Sequence, residues 1–186
     1  MNARELNHKL DENTLFVKCT MIETKKYKEI IYKVIGAAME VHNELGYGLL
    51  EPIYNEALSL ELDSRKVKAE PEKYLPCYYK NSLMKKSYRM DIVVEGDVIV
   101  ELKSVSKLNK AHRAQLFNYM RLTKKSIGLL INFGDEQLRG ERYVYDEEEN
   151  HCYLVDKWMR PIEPEEDEYE AYIDPYAKVY DQSSKE

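Results

Sequence analysis

Residues 88–104 read YRMDIVVEGDVIVELKS, two runs rich in valine and isoleucine joined by a short polar turn. Two such runs around Glu95-Gly96-Asp97 predict an antiparallel β-hairpin. Asp91, Glu101 and Lys103 interrupt the apolar runs, although charged side chains in a buried sheet are costly unless they are paired or bind an ion. This chain must therefore fold around a β-sheet that tolerates a cluster of charges.

The register of the hairpin decides whether the two acids share a face of the sheet. With all three turn residues in the loop, Val94 faces Val98, and Asp91 lies opposite Glu101 with Cβ atoms roughly 5 Å apart. A bulge at Gly96 would make the acids diagonal neighbours on the same face. In both registers Lys103 shares that face, whereas a two-residue turn would place the acids on opposite faces.

Two carboxylates on one strand face favour a bound cation. Like charges directly opposite each other destabilise a sheet, so solvent or a cation must compensate them. Mg²⁺ takes oxygen ligands and keeps several waters, and adjacent carboxylates suit it. The alternative is a partly exposed strand face with ordinary charges.

Charge is divided unevenly along the chain. The net charge of the 186 residues is -6, but residues 146–186 alone hold 14 acidic and 4 basic side chains. No acidic residue occurs between Glu101 and Asp135, and this basic window contains Lys107, Lys110 and Arg113. A basic stretch directly after a carboxylate pair fits a phosphate-bearing ligand. A solvated helix face is the alternative.

Composition excludes several classes of protein. Hydrophobic residues make up 44% and charged residues 33% of the chain, as in soluble globular proteins. No apolar run approaches the ~20 residues of a membrane helix, and the charged N-terminus lacks the apolar stretch of a secretory signal. The three cysteines are far apart and do not form a metal-binding spacing. We therefore expect a cytoplasmic protein with reduced thiols and no membrane partner.

Hydrophobic periodicity predicts the element order α, α, β, β, β, α, β. This order gives an α+β fold with a mixed central sheet flanked by helices. Residues 140–159 offer further strands, because tyrosines and valines alternate there with polar residues. We expect an N-terminal arm over residues 1–24, a domain over 25–140 and an acidic, tyrosine-rich extension over 141–186. The predicted helices are Lys26–Leu45, Leu50 to about Arg65 and Asn109–Leu122; the predicted strands are Val67–Tyr79, Lys85–Val94, Val98–Val105 and SIGLLINFG, ending at Gly134.

Several short patterns together resemble one family. Asp91, Glu101 and Lys103 form D-x(9)-E-x-K, which resembles the PD-(D/E)XK nuclease superfamily. GLLEPIY, residues 48–54, is similar to the motif of one branch of it, the GxxExxY proteins. HNELG, YRMD, HRAQLFNY and LLINFG are also similar to that branch, and the patterns cover roughly residues 26–134.

The resemblance implies a restriction-endonuclease-like αβββαβ core and a metal-dependent nuclease that hydrolyses phosphodiester bonds, with DNA as the favoured substrate. It implies that Asp91, Glu101 and the backbone carbonyl of Leu102 bind Mg²⁺ or Mn²⁺. Lys103 would polarise the attacking water or stabilise negative charge at the scissile phosphate. Glu51 would reach the site from the helix before the sheet; alternatively, it is a first-turn acid favoured by the helix dipole.

A second pattern, Q-x-x-x-Y, resembles the motif of RecB-type nucleases and occurs here as Gln115 and Tyr119. These residues share a helix face, and His112 lies beside them. The glutamine would hydrogen-bond a phosphate or a water at the metal, and the tyrosine would stack on a base. An ordinary amphipathic helix is the alternative. Lys107, Lys110 and Arg113 complete the predicted nucleic-acid-binding residues.

Two alternatives concern function and the acidic extension. A catalytically inactive nucleic-acid-binding or scaffold protein can share the same fold, although the intact set of Asp91, Glu101 and Lys103 favours a nuclease. Residues 146–186 either compete with phosphate for the basic window or extend into solvent without contact. Attraction between exposed charges is screened beyond ~8 Å at physiological salt, so such competition would be strongest at low ionic strength.

Overall fold

Six strands form one sheet in the order in which they follow along the chain. The computed structural model describes residues 24–162. Neighbouring strands are antiparallel, except that β3 and β4 are parallel and are connected by helix α3. The helices of this part of the chain are α1 (Thr24–Leu45), α2 (Glu51–Ser64) and α3 (Lys110–Thr123); the strands are β1 (Ala69–Tyr79), β2 (Ser82–Val94), β3 (Val98–Lys103), β4 (Ile127–Asn132), β5 (Arg139–Asp146) and β6 (His151–Val155).

The sheet lies between two apolar layers. One layer contains the buried side chains of α1 and α2, and the other contains those of α3. Ile92 and Val100 face the first layer, whereas Val93 and Ile99 face the second. This alternation is that of a strand buried on both faces, and the mixed sheet with helices confirms the predicted α+β class.

The turn between β2 and β3 has three residues, so the predicted register is confirmed. Val94 pairs with Val98, Val93 with Ile99 and Ile92 with Val100. Glu95 and Gly96 both have positive φ, 50° and 75°, and the Asp97 N–H donates to the Val94 carbonyl at 3.1 Å. This geometry excludes the two-residue turn that would have separated the acids.

Strands β5 and β6 continue the sheet beyond the predicted order. They include residues 141–146 and 151–155, which the domain assignment placed in the acidic extension. Pro161 forms an isolated bridge with Val155, and Met159 is buried in the layer of α1 and α2. The first part of the predicted extension therefore packs with the domain, whereas residues 1–23 and 163–186 lie outside the described residues. Over residues 24–162, no helix is both long and apolar enough to cross a bilayer.

Candidate active site

Asp91 lies where strands β2 and β3 separate. The last backbone pair between the two strands joins Ile92 to Val100, so Asp91 lies just outside the ladder. Its carboxylate Oδ2 instead accepts a hydrogen bond from the Leu102 N–H, at 2.7 Å. Asn55 on α2 donates to the Asp91 carbonyl oxygen, at 3.2 Å. A side chain thus satisfies a backbone group of β3 that would otherwise have lost its partner, and this bond fixes the half-buried carboxylate beside the end of β3.

A buried ion pair lies at the end of β3. Glu101 is fully buried and Lys103 is 6% exposed. The Lys103 Nζ lies 2.6 Å from Glu101 Oε1 and donates to the Leu102 carbonyl at 2.7 Å. Glu51, at the first position of α2, approaches the same ammonium at 3.4 Å and is 40% exposed. The fold therefore brings Glu51, Glu101 and Lys103 together, from positions that are 52 residues apart at most.

Glu101 Oε2 is buried and has no hydrogen-bond partner in the described part of the chain. Leaving a buried charged oxygen without a partner is costly, and such atoms are rare in folded proteins. A hard divalent cation binds oxygen ligands of this kind. Residues 24–162 contain no cluster of three His, Cys, Asp or Glu side chains placed for a metal. Asp91, Glu101 and the Leu102 carbonyl, the predicted ligands, offer only oxygen donors, which is the donor set that a hard divalent cation prefers.

The pKa values of Asp91, Glu101 and Lys103 are all raised, because carboxylates outnumber the single ammonium at a buried site. Burial, followed by the nearby charge of Asp91, raises the pKa of Glu101 to about 8. Burial also raises the pKa of Asp91, against the opposing effects of the Leu102 N–H and Lys103. Burial alone would lower the pKa of Lys103, but the surrounding carboxylates outweigh it and raise the net value. Lys103 therefore keeps its ammonium charge at neutral pH.

The GxxExxY pattern forms the loop that presents Glu51. Gly48 has φ +83°, a backbone conformation that favours glycine. Tyr54 is fully buried, and its hydroxyl donates to the Gly46 carbonyl at 2.9 Å and accepts from the Leu49 N–H at 3.1 Å. Its ring stacks on Phe133 with centroids 4.4 Å apart. The glycine and the tyrosine thus hold the loop from which Glu51 begins α2.

Asn132 and Gly134 hold the segment after Lys103, and the sequence reasoning did not assign them a role. Asn132 is buried; its Oδ1 accepts from the Val105 N–H at 3.0 Å, and its Nδ2 donates to the Val105 carbonyl at 2.7 Å. A Cβ on Gly134 would come within 2.2 Å of the Val105 nitrogen, so only glycine permits this approach. The sequence carried one sign of this role: Asn132 is a polar residue within the apolar run LLINFG, and a buried polar side chain needs hydrogen-bond partners.

Helix α3 brings Gln115 and Tyr119 together as predicted. Gln115 Nε2 donates to the Tyr119 hydroxyl at 3.1 Å, and that hydroxyl donates to the Arg89 carbonyl at 3.2 Å. Tyr119 is only 3% exposed, and its ring meets Tyr88 edge-on at 5.5 Å. Packing of α3 against the sheet thus buries the Tyr119 ring, and its hydroxyl holds the backbone of β2, while the stacking of this tyrosine on a base stays a prediction.

His112 takes part in the cap of α3. Its Nδ1 accepts from the Asn109 N–H at 3.2 Å, and the Asn109 side chain accepts in return from the His112 N–H. Burial, followed by the charge of Lys103, lowers the pKa of His112. His112 therefore stabilises the first turn of α3.

The predicted basic contacts differ in their surroundings. Lys107 and Lys110 are exposed. Arg113 instead makes two hydrogen bonds to Glu141 on β5, at 2.9 and 2.6 Å, and is only 11% exposed. Lys124 pairs with Glu147 at 3.0 Å. Arg113 therefore forms a largely buried ion pair with Glu141, a residue assigned to the extension, and its contact with phosphate stays a prediction.

The fold and the site define a restriction-endonuclease-like domain, with a mixed sheet whose adjacent strands present two carboxylates and a lysine. The chain belongs to the PD-(D/E)XK nuclease superfamily: the family model matches residues 28–143, a range that includes every predicted site residue. A search of curated proteins gives no match.

The chain is also similar to a solved structure over part of its length. The crystal structure of SSO0001 is 19% identical to this chain, with a TM-score of 0.43. The match covers 54% of this chain and 54% of that chain, about half the length of each. At this level of similarity the comparison carries no argument about function.

Proposed function

We propose that the protein is a metal-dependent nuclease of the GxxExxY branch, which hydrolyses phosphodiester bonds in DNA with Mg²⁺ or Mn²⁺. Membership of the nuclease superfamily supports the reaction class. The observation that carries the proposal is the buried, unpartnered Oε2 of Glu101 beside Asp91 and Lys103. The free thiol of Cys77 fits the cytoplasmic location that is part of this proposal.

The charges around Lys103 support a functional rather than a structural role. A structural ion pair needs one carboxylate for one ammonium, and an excess of buried carboxylate charge opposes folding. Here the ammonium acts on Glu101, Glu51 and Asp91 together. Such a surplus of negative charge favours a divalent cation, since the cation would balance it and bind the unpartnered oxygen.

The residues of the chain would divide the chemistry between them. A bound divalent cation would supply Lewis-acid polarisation of the phosphate and would make a water more acidic. Asp91, Glu101 and the Leu102 carbonyl would hold it. Lys103 stays protonated, so it would attract the scissile phosphate and stabilise the negative charge that develops there, rather than act as a general base. Glu51 would hold the ammonium from the exposed side of the site.

The surroundings of the site support a nucleic-acid substrate. Lys107 and Lys110 are exposed just beyond β3 and would attract phosphates. Gln115 holds the Tyr119 hydroxyl, and this tyrosine supports the strand that carries Asp91. Gln115 and Tyr119 would therefore keep Asp91 in place, and Lys107 and Lys110 would bind the phosphates of the substrate.

The proposal is tested by incubating the purified protein with single- and double-stranded DNA and RNA, with Mg²⁺ or Mn²⁺ and against an EDTA control. Cleavage of DNA with metal, but not with EDTA or by an Asp91→Ala variant, is the expected result. Binding of nucleic acid without cleavage under every metal condition would support the inactive binding or scaffold protein instead. Cleavage that persists in EDTA and in the variant would contradict the proposed site.

A further inference from the structure

Strands β1 and β2 form a ribbon that extends beyond the rest of the sheet. Strand β3 pairs with β2 only over Ile92–Val94, whereas β1 pairs with β2 as far as Tyr79 and Ser82. Residues 82–87 are all exposed, and helix α3 reaches β2 at Tyr88 and Arg89, through Tyr119. A two-stranded ribbon alone has marginal stability in water. An exposed ribbon that also carries large apolar side chains is therefore a candidate binding surface, because a bound partner would cover those side chains.

The exposed ribbon combines aromatic side chains with positive charge. Tyr74, Tyr78 and Tyr79 are 57%, 63% and 68% exposed. No acidic residue occurs between Glu72 and Asp91, a stretch with five lysines and arginines. Exposed tyrosines among basic side chains are typical of surfaces that bind single strands, because every base offers a face for stacking and every phosphate carries charge. The charge of the ribbon therefore fits a polyanion.

The outer edge of the ribbon is unsuited to another β-strand. Pro71 and Pro76 lie on β1 and lack the N–H groups that a further strand would need. Glu72 has a positive φ of 47°, and the register shifts between Pro76 and Tyr78. Prolines and irregularities of this kind protect an edge against strand addition. The features of the ribbon thus favour contact through its side chains rather than pairing with a second copy of the chain.

We propose that the ribbon of residues 73–89 binds single-stranded nucleic acid. Its tyrosines stack on unpaired bases, and Lys80, Lys85 and Lys86 contact phosphates. This inference extends the proposed nuclease function and rests on it for the choice of partner. Tyr88 at the base of the ribbon contacts Tyr119, and Asp91 follows on the same strand. A strand bound along the ribbon, roughly 30 Å from its tip to Asp91, is therefore directed to the acids.

Binding is measured separately from cleavage by fluorescence anisotropy in EDTA. The probes are a labelled single strand of about 30 nucleotides and a duplex of the same length. The test variants are Tyr78→Ala with Tyr79→Ala, and Lys85→Ala with Lys86→Ala. Tyr32→Ala and Lys28→Ala are the matched controls, because both residues are exposed on α1, outside the ribbon.

The two variants should weaken binding in different ways. Because the tyrosine variant loses two rings on which unpaired bases stack, it should bind the single strand at least about 10-fold more weakly and lose less affinity for the duplex. The lysine variant should lower the magnitude of the slope of log K against log salt by about 1.4, which corresponds to two phosphate contacts on a single strand. The control variants should bind as the wild type does.

Each alternative outcome overturns the ribbon proposal in a distinguishable way. Circular dichroism establishes that each variant is folded before its binding is interpreted. Wild-type affinity in the tyrosine variant, combined with metal-dependent cleavage, would overturn the ribbon and leave the nuclease intact. A wild type that neither binds nor cleaves any nucleic acid would remove both proposals. Self-association that the tyrosine variant loses in sedimentation, with unchanged affinity for the strand, would identify a second copy as the partner and overturn the proposal.

Discussion

Replacing Glu101 by glutamine removes a charge from the centre of the site while keeping the shape of the side chain. The pKa of Glu101 rises from 4.5 to about 8 on folding, mainly through burial and then through Asp91. Between these two values the native state binds a proton that the unfolded state releases. The free energy of unfolding of the metal-free protein therefore falls as pH rises, by at most about 1.4 kcal/mol per pH unit.

The size of this effect follows from the interval between the two pKa values. The interval from 4.5 to about 8 sets an upper limit of about 5 kcal/mol on the loss. The Lys103 ammonium donates to Glu101 Oε1 at 2.6 Å. Because Glu101→Gln weakens this ion pair, the variant gains less stability than the upper limit. We expect the variant to be more stable than the metal-free wild type by about 2 kcal/mol at alkaline pH, or by roughly 4–8 °C in Tm for a chain of this length.

Thermal unfolding in EDTA between about pH 5 and pH 9 provides the measurement. The Tm of the wild type should fall across this range more steeply than that of Glu101→Gln, and Mg²⁺ should restore the wild type but not the variant. Glu40→Gln is the matched control, because Glu40 is exposed on α1. Parallel pH curves for wild type and variant, or equal stabilisation of both by Mg²⁺, would refute the argument that Glu101 is a buried, uncompensated metal ligand.

Three further predictions concern the site, its supporting loop and the acidic extension. Lys103→Ala should reduce the rate of cleavage by about 10²–10³-fold, since it removes the ammonium near the reacting phosphate; single-turnover rates measure this, and undiminished cleavage by both Lys103→Ala and Asp91→Ala would point to a different site. Tyr54→Phe should leave the Leu49 N–H without its acceptor and destabilise the protein by about 1–3 kcal/mol; Tyr32→Phe, at an exposed tyrosine, should leave the Tm unchanged. Removing residues 163–186, which hold 9 acidic and 2 basic side chains, should strengthen DNA binding at low salt and less so at high salt. The truncation is placed after Ile162 because Met159 and Pro161 pack with the domain, and equal affinities at low salt would exclude competition by the tail.

Local patterns in the sequence determined the hairpin and most of the order of elements. The alternation of Val94, Val98 and Val100 with the charged residues requires one apolar face, because the side-chain period of a strand is two. The sequence left the length of the turn open, and the three-residue turn in the structure fixes the register and places the acids on one side. The spacing of Asp91, Glu101 and Lys103, together with the flanking patterns, resembles the PD-(D/E)XK superfamily, and the family model over residues 28–143 confirms the membership. Each of these features depends on short segments of neighbouring residues, although the segments together span most of the domain.

Tertiary structure alone decided which charges remain available at the site. Arg113 belongs to the basic window in sequence, but β5 brings Glu141 against it and neutralises it. Tyr119 lies on the expected helix face, yet packing of α3 buries its ring. Asn132 holds the chain after Lys103 only because β4 lies parallel to β3. Each of these contacts joins residues 27 or more positions apart, and neither hydrophobic periodicity nor charge counts record such pairings, because both describe only neighbours along the chain.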